Sequence, residues 1–254
     1  MAKSVIYDRN FYQRNHTSAA TTISHLMVDL LHPASVVDVG CGNGEFLEMF
    51  REQGVNEVLG IDGDYVDRDL LCIPQEHFQA CNISLPFTLE KSYDLALCLE
   101  VAEHLDSACA TSFIDSLTRL APVILFSAAI PFQGGTHHVN EQWLEYWAKL
   151  FQEKGFLPVD ALRKKIWHNG EIEFWYRQNS ILFCTEQAIA SNERLSQEFA
   201  MTNPTMLSIV HPEWYTECNT KYLRLLHRGL EQVEEIKNTT RKIARNIRSG
   251  SATK

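Results

Sequence analysis

Seven residues, Asp38-Val39-Gly40-Cys41-Gly42-Asn43-Gly44, stand between an apolar run and a helix-forming run. Glycine has no Cβ, so such a turn bends tightly and lets the backbone approach a ligand. The spacing is G-x-G-x-G, whereas a dinucleotide fingerprint wants its third glycine at position 45, where this chain has Glu45. The turn also opens on Asp38, a poor neighbour for a pyrophosphate and a good one for a cation such as a sulfonium bearing an ammonium group. Asp62 ends a second apolar run, 18 residues after Gly44. A carboxylate placed there can accept hydrogen bonds from both hydroxyls of a ribose.

Two later stretches also carry reactive side chains. Leu99-Glu100-Val101-Ala102-Glu103-His104-Leu105 has an E-x-x-E-H spacing, which places two carboxylates and an imidazole within one turn. Gln133 to Glu141 (QGGTHHVNE) adds His137 and His138 in a glycine-rich loop that could complete the set. Histidine is the natural base near neutral pH, which makes His138 and His104 candidate bases and leaves His137 as loop decoration.

These residues need a scaffold, and the hydrophobic pattern describes one. Ile23, Leu26, Met27, Leu30 and Leu31 form an amphipathic helix that closes at Pro33. Short apolar runs at 36–39, 58–61, 78–81, 93–99 and 123–129 read as strands, with a helix from Phe46 stopping at Gly54. Asn140 is placed to cap a helix running to Lys154, and residues 156–160 and 180–184 supply two last strands. The expected fold is α/β: a Rossmann-like, seven-stranded, mostly parallel sheet flanked by helices, with ligands beyond the carboxyl ends of the strands. That domain is expected over 1–187, and 188–254 is expected to be a C-terminal helical extension. There Leu223, Leu226, Leu230, Val233, Ile236, Ile243 and Ile247 mark a long amphipathic helix, able to lie on the body or to pair with another subunit in a homo-oligomer.

With VVDVGCGNGEFL and VLGIDGDYV as its first two motifs, the chain resembles the class I S-adenosylmethionine-dependent methyltransferases from residue 10 to about 185. That resemblance implies S-adenosylmethionine as cofactor, with Gly40, Gly42 and Gly44 beside Asp38 along its methionine and ribose. Asp62 would hold the ribose, and Gly63 and Asp64 would sit by the adenine. Where the family commonly has an Asp after the third strand, this chain has Asn82 followed by Ile83; an amide oxygen still accepts from the adenine amino group, without charge. The E-x-x-E-H string looks like that of small-RNA 2′-O-methyltransferases and ubiquinone-pathway O-methyltransferases, which implies Glu100, Glu103, His104 and His138 as ligands of Mg²⁺, Mn²⁺ or Zn²⁺. Similar strings occur in methyltransferases without a metal, where the first Glu, here Glu100, lines the cofactor pocket. Both readings stay open. The stretch from Phe126 to Phe183 resembles a group of bacterial methyltransferases; Trp143 and Trp147, at i and i+4, read as packing, and Trp167, Trp175 and Tyr176 as a substrate wall.

Composition narrows the acceptor. The net charge is −9, and residues 221–254 hold nine Lys/Arg against three acids, so the rest of the chain is more acidic still. An acidic body disfavours nucleic acid as main partner. The aromatic-proline tetrapeptide of DNA and protein N-methyltransferases is absent after Leu99, and the acids and histidines suit deprotonating an alcohol. The expected activity is therefore O-methylation of a small metabolite, a sugar or natural-product scaffold. Two alternatives stand beside it: 2′-O-methylation of RNA and a non-catalytic, cofactor-binding partner subunit. No run approaches the roughly 20 apolar residues of a membrane span, MAKSVIYDRNFYQRNH has no secretory apolar core, and seven scattered cysteines without a C-x-x-C pair read as reduced thiols. The cytoplasm is the expected compartment.

Overall fold

The computed structural model describes residues 17–250, with side chains from residue 18 to residue 241; the N-terminal stretch read above against a secretory signal lies outside it, as do the side chains of Ile243 and Ile247. Helix α1 (Thr17–Leu31) leads into β1 (Ser35–Val39), α2 (Glu45–Glu52), β2 (Glu57–Asp62), β3 (Phe78–Ala80) and β4 (Leu95–Leu99). Then follow α3 (Ala110–Leu117), β5 (Val123–Ser127), α4 (Leu144–Gln152), β6 (Phe156–Val159), α5 (Arg163–Ile166), α6 (Phe174–Asn179) and β7 (Ile181–Thr185). Helices α7 (Glu186–Ser191), α8 (Glu193–Met201) and α9 (Pro212–Gly250) complete the chain. The seven strands form one sheet in the order β3-β2-β1-β4-β5-β7-β6, parallel except for β7, which runs antiparallel to both neighbours. The expected α/β, seven-stranded, mostly parallel sheet is the one observed.

Strand residues alternate between two cores. Val37, Val39, Ala96, Cys98, Ile124 and Phe126 face α3 and α4, where Phe126 meets Trp147 and Phe151, and Phe151 stacks on Phe183 at 4.0 Å. Val36, Leu95, Leu97, Val123 and Leu125 face α1, α2 and the buried side of α6. Both faces are covered, so the central strands carry apolar residues in sequence rather than in alternation.

Two local expectations need correction. Asn140 does not cap α4: its side chain is buried, its Oδ1 accepts from Gln142 Nε2 at 2.9 Å, and its N–H goes to the Glu103 carbonyl. The helix starts four residues later, where the Leu144 N–H bonds Ser208 Oγ at 3.2 Å. The chain divides into a compact unit ending at His211 and another beginning at Pro212. Residues 188–211 belong to the first because Ile189 and Leu195 are buried in its core, Asn192 Nδ2 bonds the Leu30 carbonyl, and Arg163 Nη1 bonds the Leu207 carbonyl. The long C-terminal helix, expected over 222–247, starts ten residues sooner, at Pro212, whose missing N–H costs nothing in a first turn.

Candidate functional site

The carboxyl ends of β1, β2, β4 and β5 bring together the residues singled out above. Gly40, Gly42 and Gly44 all take left-handed φ (81°, 55° and 81°), the conformation only glycine adopts without strain. At Gly40 space is as binding as φ: a Cβ would lie 2.3 Å from Val101 Cγ2. The turn is pinned to the next strand by the N–H groups of Gly40 and Cys41, both bonded to the Ile61 carbonyl, and by Gly42 N–H, which donates to Asp62 Oδ2 at 2.8 Å. Asp62 Oδ1 accepts from Gly63 N–H at 2.6 Å and from the Tyr65 hydroxyl at 2.5 Å. The glycine turn and Asp62 are thus one hydrogen-bonded unit.

Asp38 and Asp62 are only 4% and 5% exposed, and among the described residues neither forms an ion pair. Burial, helped by the charge of Asp62, pushes the Asp38 carboxyl up to about 7. Two buried carboxylates close together, without an ion-pair partner among the described residues, favour a cation. Residues 81–83 approach the same edge, since Cys81 N–H bonds the Asp62 carbonyl at 2.7 Å. Ile83 packs on the core and Asn82 is exposed, its Oδ1 accepting from Ser84 N–H at 3.1 Å. Gly63 is half-buried, whereas Asp64 is exposed and reaches Arg68 Nη2 at 3.2 Å.

The two glutamates of the E-x-x-E-H string part company. Glu100 holds a left-handed φ of 55° at the end of β4, and Val101 follows at φ −125° and ψ −44°, neither helical nor extended; a 3₁₀ turn begins only at Ala102. The spacing therefore does not fold as one helical turn. Glu100 Oε1 accepts from Asn179 Nδ2 at 3.1 Å and Oε2 from Gln133 Nε2 at 3.0 Å, while its N–H reaches Ser127 Oγ. Burial raises its carboxyl, against these donors. Glu103 is fully buried, and neither carboxylate oxygen has a hydrogen-bond partner of good geometry. Burial first, and the charge of Glu100 second, push its carboxyl well above the usual range, with the N–H groups of Glu103 and Ala129 opposing.

His104 and His138 meet edge to face with ring centroids 4.9 Å apart. His104 is lowered, mainly by burial and next by His138. One ligand atom each from Glu103, His104 and His138 lie within 4.8 Å of one another. Glu100, counted as a ligand on the motif's pattern, is not in this trio, and amides from Gln133 and Asn179 occupy its oxygens.

The loop after β5 is organised by a residue to which the sequence assigned no role. Glu141 accepts from Phe132 N–H and Gly134 N–H at 2.7 Å each, and its Oε1 lies 2.9 Å from His138 Nδ1. Gln133, Asn179 and Tyr65 were missed in the same way; only their closeness to the glycine motifs or to the apolar run at 180–184 was visible. His137 is exposed, as expected of loop decoration. Of the aromatics, Trp147 is buried as expected, but Trp143 is 44% exposed. Tyr176 is buried in the core, and Trp167 lies against His211 with centroids 4.5 Å apart, so they do not form one wall.

A protein-family model described as a methyltransferase domain matches residues 11–170. The chain belongs to this family. The sheet order, with its antiparallel β7, is that of the class I methyltransferase fold that the motifs implied. Comparison with curated proteins finds no match. Among solved structures, this methyltransferase is similar to one from Nostoc punctiforme described provisionally as an O-methyltransferase, at 15% identity and TM-score 0.48, over 66% of this chain and 56% of that one. A SAM-dependent methyltransferase from Archaeoglobus fulgidus is 20% identical with TM-score 0.46, over 59% and 75%. Human N-acetylserotonin methyltransferase is 11% identical with TM-score 0.48, over 71% and 57%. The methyltransferase thus spans little more than half of the first and third of these chains. Among its described residues no helix is long and apolar enough to cross a membrane.

Proposed function

We propose that this methyltransferase takes its methyl group from S-adenosylmethionine and passes it to a hydroxyl of a small molecule. The observation that carries the donor is the pair of buried carboxylates, Asp38 and Asp62, joined through the left-handed glycine turn. In this reading Asp38 faces the cationic methionine end, Gly40, Gly42 and Gly44 let the backbone approach it, and Asp62 receives the ribose. Gly63, Asp64, Asn82 and Ile83 border the adenine, and Glu100, held by Asn179 and Gln133, closes the pocket wall.

His138 is the base of this reading. Its Nδ1 engages Glu141, which leaves Nε2 for the acceptor. Bound S-adenosylmethionine would supply the electrophilic methyl group, and His138 Nε2 would take the proton that the acceptor O–H loses as its oxygen is methylated. Such in-line transfer depends on alignment of oxygen, carbon and sulfur, and His104 stands at the side of His138 to shape that approach.

A metal-assisted alternative, in which His138 would be a ligand instead of the base, is favoured by one observation, the buried Glu103 carboxylate without a hydrogen-bond partner of good geometry. That donor set fits a divalent ion: Glu103, His104 and His138 would hold Mg²⁺, Mn²⁺ or Zn²⁺. Bound there, the ion would lower the pKa of the acceptor hydroxyl.

Calorimetry with S-adenosylhomocysteine tests the donor: saturable binding is expected in wild type and loss of binding in Asp62→Ala. Heat from a nicotinamide dinucleotide, and none from S-adenosylhomocysteine, would overturn the donor assignment. Metal-free protein titrated with Mn²⁺ or Zn²⁺ tests the ion. A rise in Tm that Glu103→Gln abolishes is expected, and an unchanged Tm in wild type removes the ion while leaving the donor in place.

A further inference from the structure

Helix α9 carries an apolar stripe that its own unit does not cover. Tyr222, Leu223, Leu226, Leu230, Val233 and Ile236 are 62%, 60%, 47%, 60%, 48% and 65% exposed. Leu223, Leu226, Leu230 and Val233 follow one another at spacings of three, four and three, the seam of a coiled coil, with Tyr222 and Ile236 widening one side. Monomeric proteins seldom leave such a contiguous patch in water.

We propose that the stripe pairs with the same stripe of a second copy of this chain, antiparallel, about a two-fold axis beside Gly229. The sequence of the stripe is self-complementary under that operation, as an isologous interface requires. Reversed about position 228, Leu223 comes level with Val233 and Leu226 with Leu230, while Tyr222 and Ile236 come within two residues of level on one flank. Gly229 then lies one position from the axis and carries no Cβ to hold the two backbones apart.

Charge selects the direction. Lys221 and Arg224 precede the axis, Arg228 lies on it, and Glu231, Glu234 and Glu235 follow it. A parallel pair sets each block level with its like, whereas the antiparallel pair sets Lys221 level with Glu235 and Arg224 one position from Glu231. Between residues 221 and 236 cations and acids balance, three against three, so the charge that an anionic bilayer would attract lies beyond the stripe, from Lys237 on. Covering most of the six exposed side chains on both helices buries about 1,000 Å², the lower bound for a specific interface.

Light scattering of the full chain at about 20 µM is expected to give twice the 29.1 kDa monomer mass, and Leu226→Glu is expected to give the monomer with an unchanged circular dichroism spectrum. Direction is read by cross-linking: a mixture of Leu223→Cys and Val233→Cys proteins is expected to form a disulfide-linked pair under mild oxidation, and neither alone. A monomeric wild type overturns the proposal, as does binding of monomer to anionic phosphatidylserine vesicles. Self-linking of Leu223→Cys at the rate of the mixture overturns the antiparallel arrangement.

Discussion

Replacing Tyr65 by Phe should tighten the binding of S-adenosylhomocysteine. The Tyr65 hydroxyl and the Gly63 N–H both donate to Asp62 Oδ1, at 2.5 and 2.6 Å, and Gly42 N–H donates to Oδ2 at 2.8 Å. A carboxylate has about four lone-pair sites, so three of the four are taken before any nucleoside arrives. A ribose that presents two hydroxyls needs two, and the Tyr65 hydroxyl is the donor on a side chain able to swing away. Hydrogen bonds to a charged acceptor contribute about 1.5–3 kcal/mol net. Tyr65 is 56% exposed, so water replaces much of what it loses and about 1 kcal/mol remains to be recovered. Removing the hydroxyl while keeping the ring is therefore worth about a fivefold fall in Kd. Isothermal titration of both proteins with S-adenosylhomocysteine at one pH reads this directly. An equal or weaker affinity in Tyr65→Phe would refute the competition at Asp62.

The raised Asp38 carboxyl should appear in both binding and stability. A cationic ligand prefers ionised Asp38, so affinity for S-adenosylmethionine should rise with pH through about 7, and Asp38→Asn should flatten that profile and weaken binding. In the unliganded protein the sign reverses. The folded carboxyl keeps its proton between its ordinary value of 3.8 and about 7 while the unfolded one loses it, so Asp38 costs stability progressively across that window, with the full penalty present above it. Denaturant unfolding should accordingly show Asp38→Asn gaining on wild type from pH 5 to pH 8; a constant difference would refute the shift. Gly40→Ala combines left-handed strain with a 2.3 Å approach to Val101 and should lower stability by about 2–4 kcal/mol in urea titration; a change under 0.5 kcal/mol would mean the turn relaxes freely. His138→Ala should cut kcat by roughly 10²–10⁴-fold with S-adenosylhomocysteine affinity nearly unchanged, and a near-normal rate would remove His138 as the base.

Much of the scaffold was legible in the residues because its causes are local. Left-handed backbone at 40, 42 and 44 is written in residue type, and each central strand announced itself as an apolar run bounded by turn formers. Asp62 was legible too, since a strand end after a glycine turn has one outlet in a parallel sheet. What the sequence could not decide depends on residues far along the chain. Glu100 and Glu103 look alike in the motif, yet one meets Asn179, 79 residues away, and the other meets no polar partner of good geometry. Asn140 reads as a cap by type, but its N–H is drawn to the Glu103 carbonyl. Trp143 and Tyr176 exchanged their expected environments, and residues 188–211 joined the first unit through bonds to Leu30 and Arg163. Backbone preference acts over a few residues and sequence alone determined it. The pairing of buried polar groups is settled by which strands and helices pack side by side, and only the tertiary structure decided that.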